Sequence, residues 1–282
     1  MMRGDFVIAC LRRQRGVAMV AVLWVVAALS ILVTGLVQTQ REEIRTASSA
    51  RQRLKADAVG QGAIYLAVQA LLAQVRQPDR LYRITMPYDG VEVMVEVQPF
   101  TGLVDINIAP APLLAALFTV NGGVDPATSE RLAAAVVAMR EARPAEPPPR
   151  FKAPEELLNV EGIDYDLYAR LAHLVTADSR GSGRINPLAA SPEVLLLLAG
   201  GDQGLANQTA AKRDAGVAGM DTTGLQTAFT DESASSRLRF KAYVPFPDGS
   251  VAVVRDIDIS PVAEGTAPWR TLRAHAPVLS TK

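Results

Sequence analysis

The sequence predicts an α+β fold in which a long N-terminal helix packs on an antiparallel β-sheet and a large α-helical domain is inserted between the hairpins. Three observations lead to this prediction. A long apolar run near the N-terminus continues into an amphipathic helical pattern. Two stretches of alternating apolar residues each surround a Gly-containing turn. The residues between these stretches have a helical composition and contain an internal repeat.

The first element is a basic leader followed by an uncharged run. The leader, residues 1–16, holds four arginines and one aspartate and ends at Gly16, and residues 17–37 carry no charge. At about 1.5 Å per residue this run reaches roughly 30 Å, the thickness of a bilayer core. A secretory signal peptide has a shorter apolar region with its cleavage site afterwards, whereas here the glycine precedes the run. We therefore predict that residues 17–37 are the transmembrane part of the N-terminal helix.

An ordinary signal anchor is an alternative interpretation of the same residues. In both cases the arginines keep the N-terminus cytoplasmic, so the protein crosses the inner membrane once and its C-terminal domain faces the periplasm. The formal net charge is zero, and loss of the leader leaves roughly −3, which gives no basic patch for a phosphate backbone. Because the single cysteine, Cys10, lies in the leader, neither a disulfide framework nor a thiolate metal site is available.

Residues 38–101 are predicted to hold the periplasmic part of the helix and the first hairpin. Apolar residues recur at helical spacing up to Leu72, and Pro78 ends the pattern. Asp89-Gly90 then stands between two strand-like segments, which is typical of a two-residue hairpin turn. The valines after this turn alternate with Glu92, Met94 and Glu96, so one face of the hairpin is expected to be covered by the amphipathic half of the helix.

Residues 102–200 are predicted to form the inserted helical domain. Residues 104–114 align without a gap on residues 185–195. Each copy has a short extended stretch, a polar turn and a proline near the start of an apolar helix. Residues 201–236 lack helical periodicity and are rich in small and polar residues, which predicts a flexible loop. Residues 237–282 are predicted to form the C-terminal β-hairpin and a tail, in which Trp269 has no evident role.

The segment from Val160 to Ile163 resembles half of a helix-hairpin-helix DNA-binding motif, in which two glycines let backbone amides approach a phosphate. Here Gly162 is present, but Asp164 occupies the second glycine position in an acidic segment. We therefore interpret the segment as a structural hairpin and predict no nucleic-acid partner. A membrane-tethered DNA-binding module is the alternative of a different class.

The sequence contains few residues suited to catalysis or metal binding. The two histidines, His173 and His275, are far apart in the sequence, and no nucleophile elbow or phosphate-binding glycine loop occurs. We therefore predict no enzymatic activity and no cofactor. Calcium remains an open option, since carboxylates cluster at two places. These are the groups Glu161, Asp164 and Asp166, and Asp231 and Glu232.

Taken together, the Gly16-Val17 junction, the apolar helix, the paired repeats and residues 151–163 resemble the K-type minor pseudopilin family of type II secretion. The resemblance extends over nearly the whole chain, although the first repeat has Asp105 and Ile108 where the family usually has Asn and Thr. It implies a pilin-like fold, cleavage after Gly16 by the prepilin peptidase, and methylation of Val17 as the new N-terminus.

The resemblance also implies partners and a role. Other minor pseudopilins would form a tip complex with this chain above the major pseudopilin, and the complex would support export of folded proteins across the outer membrane. Most pseudopilins carry Glu as the fifth mature residue, whereas the fifth residue counted from Val17 is Ala21. A tip subunit has no neighbour ahead of it to pair with that carboxylate, so Ala21 marks the tip position. A minor pilin of a type IV pilus is the alternative with the same helix, and a periplasmic enzyme on a signal anchor ranks last.

Overall fold

The computed structural model describes residues 15–74, 78–142, 151–216, 219, 221–246, 249–260 and 268–280, and it leaves the side chains of residues 15–18, 31–49, 142, 279 and 280 undescribed. The chain divides into two compact units, Met1–Lys55 and Ala56–Lys282. The described elements are α1 (Arg15–Leu72), β1 (Tyr82–Tyr88), β2 (Val91–Pro99), β3 (Val104–Asp105), α2 (Ala111–Val120), α3 (Pro126–Ala142), α4 (Tyr165–Leu171), β4 (Val175–Thr176), α5 (Pro192–Leu198), α6 (Gln203–Asp214), β5 (Arg237–Phe246), β6 (Gly249–Asp258), β7 (Arg270–Ala274) and β8 (Val278–Ser280).

The first unit contributes the N-terminal part of α1. Its side chains from residue 19 to residue 30 are all exposed. Within the described part of the chain, no helix combines the length and the hydropathy needed to cross a bilayer. The transmembrane segment at residues 17–37 stays a prediction.

The second unit contains an antiparallel sheet in the order β1-β2-β5-β6-β7, and β8 also pairs with β6. The turn between β1 and β2 has Asp89 at φ 51° and Gly90 at φ 73°. Two successive residues with positive φ are typical of the type I′ turn, so the predicted Asp-Gly hairpin is confirmed. Phe246 pairs with Gly249 in the second hairpin, and the two residues between them, 247 and 248, lie outside the described residues.

The C-terminal part of α1 covers one face of this sheet, as the alternating valines predicted. Its small and aliphatic side chains pack against buried residues of β2, β5 and β6. Two glycines let the helix approach closely. A Cβ on Gly60 would lie 2.6 Å from Cγ2 of Val253, and a Cβ on Gly62 would lie 2.3 Å from the ring of Tyr88. The residues of α1 in this core are Ala56, Val59, Ala63, Ile64, Ala67, Val68 and Leu71.

The helical insert enters and leaves the sheet between two adjacent strands. Pro99 at the end of β2 pairs directly with Leu238 near the start of β5. All the residues from 100 to 236 therefore replace what would otherwise be a short connection between neighbouring antiparallel strands. The insert has its own hydrophobic core, which includes Phe118, Phe151 and Leu195 and is separate from the core under the sheet.

The flexible loop predicted for residues 201–236 is wrong over α6. Asp202 caps this helix because its Oδ1 accepts a hydrogen bond from the amide of Leu205 at 3.0 Å. The face that α6 buries consists of Ala206, Thr209 and Arg213, so the pattern of large apolar residues that normally reveals a helix is missing. Leu225 also joins the core of the insert. The insert consequently continues beyond residue 200.

The tail after the second hairpin contains two strands that were not predicted. Strand β7 pairs with one end of β6 and β8 with the other end, so the tail lies along the full edge of that strand. Trp269, which has no evident role in the sequence, packs against Tyr65 of α1 with ring centroids 6.0 Å apart. The tail thereby joins the sheet to the helix that covers it.

Candidate functional site: an apolar helix surface and a polar cleft

The residues predicted for processing and tip position lie in α1. Gly16 and Val17 belong to its first turn, where side chains are not described, and Ala21 is exposed. The predicted cleavage, methylation and tip roles of these residues remain predictions.

The surface around Ala21 is apolar on all sides of the helix. A helix that is hydrophobic all round is normally buried in a protein or in lipid, and large exposed apolar patches mark interaction sites. Four of its residues, Val20, Leu23, Trp24 and Ala27, form a shallow groove. This surface can bind other apolar helices or acyl chains. Its large exposed side chains are Met19, Val20, Val22, Leu23, Trp24, Val25, Val26 and Leu29.

The two repeats of the insert adopt equivalent local structures. Asp105 Oδ1 accepts the amide of Asn107 at 2.9 Å, and Asn186 Oδ1 accepts the amide of Leu188 at 2.9 Å, so each copy begins with an Asx turn. Helices α2 and α5 then begin at equivalent positions of the alignment, after the caps Pro110 and Ser191. The predicted repeat is therefore a structural repeat, and Asp105 makes the same turn as the amide residue Asn186.

A polar cleft of about 280 Å³ lies where the insert meets the sheet. The insert side contributes Lys152 and Asp178, and the sheet side contributes residues of β5, β6 and β7. The charges in this cleft are unusual because several are nearly inaccessible to water, where unpaired charges are costly. Its charged lining residues are Lys152, Asp178, Arg237, Arg239, Asp256 and Arg273.

The centre of the cleft wall is a buried ion pair between two sheet strands. Arg239 and Asp256 are directly opposite each other in β5 and β6, and only 8% and 4% of their surfaces are exposed. Arg239 donates from Nε to Oδ1 at 2.8 Å and from Nη2 to Oδ2 at 3.1 Å. Its Nη1 donates to the carbonyl oxygen of His173 in the insert at 3.1 Å. This guanidinium therefore connects the sheet to the insert with all three of its nitrogens.

His275 lies on the other side of the same carboxylate. Its Nε2 is 2.9 Å from Oδ2 of Asp256. Burial raises the pKa of the Asp256 carboxyl, but hydrogen bonds and charge interactions with His275 and Arg239 outweigh burial and hold the pKa below its usual value. The carboxylate form of Asp256 is consequently the stable one at neutral pH.

A second buried arginine, Arg237, lies opposite Asp258 in the same pair of strands. Its Nη1 donates to the carbonyl oxygen of Asp178 at 3.0 Å and also contacts that residue's carboxylate. Its Nε is 3.3 Å from Oδ2 of Asp258 but is buried without a hydrogen bond of good geometry. Arg237 thus holds the insert against the sheet while one of its N–H donors is left unsatisfied.

The segment resembling a DNA-binding hairpin forms a tight turn before α4. Gly162 has φ +90°, and the amide of Ile163 donates to the carbonyl oxygen of Val160 at 3.1 Å. Asp164 uses its carboxylate to cap α4 through the amide of Leu167, while Glu161 is exposed. These contacts agree with a structural hairpin whose surface is acidic.

The two carboxylate groups considered for calcium are not assembled into a ligand set. In the described parts of the chain, no three His, Cys, Asp or Glu side chains are close enough to hold a metal ion. Asp231 instead accepts hydrogen bonds from the amide and hydroxyl of Ser233 and from the hydroxyl of Ser182. The structure gives calcium no support at these residues.

The polar cleft has a signal in the sequence that corresponds to no known motif. Arg237 and Arg239 alternate in one strand, and Asp256 and Asp258 alternate in the next. In an antiparallel hairpin such charges fall opposite one another on one face. What the sequence cannot supply is the insert above that face, which buries the two pairs.

Comparison with known proteins gives a distant structural likeness. No protein-family model matches the sequence, and no curated protein matches it significantly. The chain is similar to a chain in the crystal structure of the GspK-GspI-GspJ complex of the type 2 secretion system from enterotoxigenic Escherichia coli. The identity is 16%, the match covers 84% of this chain and 100% of that chain, and the TM-score is 0.48. At this distance the likeness assigns neither a family nor a function.

Proposed function

We propose that this protein is a minor pseudopilin of a type II secretion system that caps or initiates the pseudopilus at its tip. In this role it is a single-pass protein of the inner membrane with its C-terminal domain in the periplasm. It assembles with other minor pseudopilins above the major pseudopilin and so supports export of folded proteins across the outer membrane. It has no catalytic role.

The observation that carries the proposal is the way the insert is attached. The second unit combines the C-terminal part of α1, an antiparallel sheet and a helical domain that replaces one strand connection, between Pro99 and Leu238. The sheet and helix suffice for a subunit that repeats along a filament. A domain of more than a hundred residues at one end of the sheet makes the subunit wider. Closely packed subunits along a filament leave little room for this width at every position, which favours the tip.

The apolar surface of α1 supports the assembly part of the proposal. Exposed residues such as Leu23 and Trp24 form an apolar surface of the kind that marks interaction sites. Helices of other pseudopilins, or the bilayer before assembly, cover this surface. Ala21 lies on this surface, and a carboxylate there would cost about 2.5–3.5 kcal/mol in a lipid environment unless it were paired. An alanine at this position suits a subunit that has no partner ahead of it.

Replacing the insert tests the tip role. Residues 100–236 are replaced by a two-residue Asn-Gly turn joining Pro99 to Arg237, which are close because Pro99 pairs with Leu238. The variant is expected to keep its sheet and remain in the membrane, because the core under the sheet contains no residue of the insert. Export of a reporter protein and cross-linking to other minor pseudopilins are expected to fall to background.

The matched control changes a different turn of the same sheet. Asp89→Asn keeps an Asn-Gly type I′ turn and is expected to export normally. Circular dichroism and protease resistance establish that both variants are folded. Normal export by a folded variant without the insert contradicts the tip role.

The processing step is tested by the intact mass of the protein extracted from membranes. The expected chain begins at Val17 and carries one methyl group. Gly16→Leu is expected to abolish cleavage while leaving membrane insertion unchanged, because the apolar run is intact. Gly35→Leu, a matched change inside that run, is expected to be processed normally. An N-terminus at Met1 in the unchanged protein, or one beyond residue 37, refutes the assignment.

A further inference from the structure

The polar cleft carries more positive than negative charge. Asp258 alone is approached by three guanidinium groups, at 3.3 Å from Arg237, 3.7 Å from Arg270 and 3.9 Å from Arg180. Arg273 is paired with Glu155. Apart from His275, six cationic side chains that line or surround the cleft therefore meet four carboxylates. The cationic residues are Lys152, Arg180, Arg237, Arg239, Arg270 and Arg273, and the anionic residues are Glu155, Asp178, Asp256 and Asp258.

The carboxylates of the cleft are already paired with cationic side chains, whereas some of the hydrogen-bond donors have no acceptor. Asp256 is paired with Arg239 and contacts Nε2 of His275. Arg237, with only 2% of its surface exposed, keeps an Nε donor without a hydrogen bond. Lys152 lies at the mouth of the cleft and is exposed, and its ammonium group makes no ion pair with any described residue. Lys152 therefore has no counter-charge in the described part of the chain, and Arg237 has a donor without an acceptor there, although Asp178 and Asp258 balance its charge. These groups in a partly water-excluded space favour an anion, because electrostatic attraction is stronger there than in bulk water.

The geometry points to a bound anion. We propose that the cleft between the insert and strands β5 to β7 binds a small oxyanion of the phosphate or sulfate class, held by Lys152, Arg237 and Arg273. Guanidinium groups donate paired, parallel N–H bonds to such oxyanions, and an ammonium group adds a point charge. A volume of about 280 Å³ holds one tetrahedral anion together with several waters, each of which takes roughly 30 Å³. Arg239 stays with Asp256 and shapes the wall of the site.

Anion binding is expected to fasten the insert to the sheet. Lys152 comes from the insert, whereas Arg237 and Arg273 come from β5 and β7. A ligand that contacts both sides is bound by the folded arrangement and not by the unfolded chain, so it raises the melting temperature as its concentration exceeds the dissociation constant. The proposal is independent of the role in secretion, and either can fail without the other.

The test uses the purified full chain in a neutral detergent. Inorganic phosphate and, separately, sulfate are titrated against chloride at constant ionic strength, and binding is measured by calorimetry and by the melting temperature. One saturable site is expected. Lys152→Gln is expected to weaken binding about tenfold or more, the effect of losing one charged hydrogen bond. Because Lys152 is exposed, this variant is expected to melt at the same temperature as the unchanged protein in chloride.

Lys212→Gln is the matched control, since it removes the same charge from α6, outside the lining of the cleft. Its affinity for phosphate is expected to be unchanged. Saturable binding that Lys152→Gln weakens and Lys212→Gln does not weaken supports the site. Absence of saturable binding, or equal weakening by both substitutions, overturns the proposed site. Phosphate would then only screen the excess positive charge as any salt does.

Discussion

Asp256→Asn is expected to lower the free energy of unfolding by about 3–5 kcal/mol, because it leaves the buried guanidinium of Arg239 without its counter-charge. Asparagine keeps the size of the side chain but accepts only one of the two parallel hydrogen bonds from Arg239 and cannot neutralise its charge. Thermal unfolding followed by circular dichroism checks the prediction. The expected fall in melting temperature is roughly 6–20 °C for a domain of this size.

A double substitution separates the loss of the pair from the loss of packing. Arg239→Met combined with Asp256→Leu removes both charges and is expected to cost less than Asp256→Asn alone, since no uncompensated charge is left. Asp166→Asn, which changes an exposed carboxylate of α4, is the neutral control. A cost below about 1 kcal/mol for Asp256→Asn contradicts the view that this ion pair is buried in the folded protein.

The Arg239–Asp256 pair also makes the free energy of unfolding depend on pH in the acid range. The pKa of Asp256 is lower in the folded protein than its usual value near 4. Its contribution is therefore complete above that usual value and is lost as the pH falls through the lower folded pKa. Stability of the unchanged protein is expected to decline below about pH 4, and Asp256→Asn is expected to decline less steeply over the same range.

Gly102→Ala is expected to cost about 3 kcal/mol or more, the upper end for overpacking of a core. A Cβ at this position would lie 2.0 Å from the carbonyl oxygen of Ala189 and 2.3 Å from its carbonyl carbon. Both are backbone atoms of the second repeat, so no side-chain rotation relieves the clash. The same carbonyl accepts a hydrogen bond from Nε2 of Gln98 at 3.2 Å, and moving it weakens that bond as well.

Gly204→Ala provides the matched comparison in α6. The closest atom to its Cβ would be Oδ1 of Asp202 at 3.2 Å, a side-chain atom that needs to shift by only a few tenths of an ångström and can still cap the helix. Because alanine favours helix over glycine, the change is expected to be neutral or to stabilise by up to about 1 kcal/mol. Chemical denaturation of the two variants measures the difference. Equal stabilities would show that the close contact at Gly102 is absent.

Much of the fold could be predicted from local patterns. The Asp89-Gly90 turn could be predicted because type I′ geometry needs positive φ at both positions, and Asp and Gly tolerate positive φ. The valines of β2 indicated which face is buried, because side chains alternate along a strand. The repeat predicted matching turns at Asp105 and Asn186, because both side chains accept a hydrogen bond from the amide two residues on.

Helix α6 and the tail were missed because their signals depend on distant partners. The buried face of α6 includes Ala206 and Thr209, which are residue types that are equally common in loops. Trp269 gains its role only when Tyr65, far away in the chain, lies beside it. The same holds for Gly60 and Gly62, which look like weak points in a helix but allow it to approach the sheet.

The sequence by itself determined several elements and the charge pattern of this protein: an apolar N-terminal run, two hairpins, a repeated helical insert and alternating charges in β5 and β6. Only the tertiary structure decided that the insert closes over Arg237 and Arg239 and takes their carboxylate partners out of water. The physical reason is that alternation fixes which side of a strand a residue faces. What covers that side depends on contacts between residues far apart in the chain, and those contacts have no local pattern.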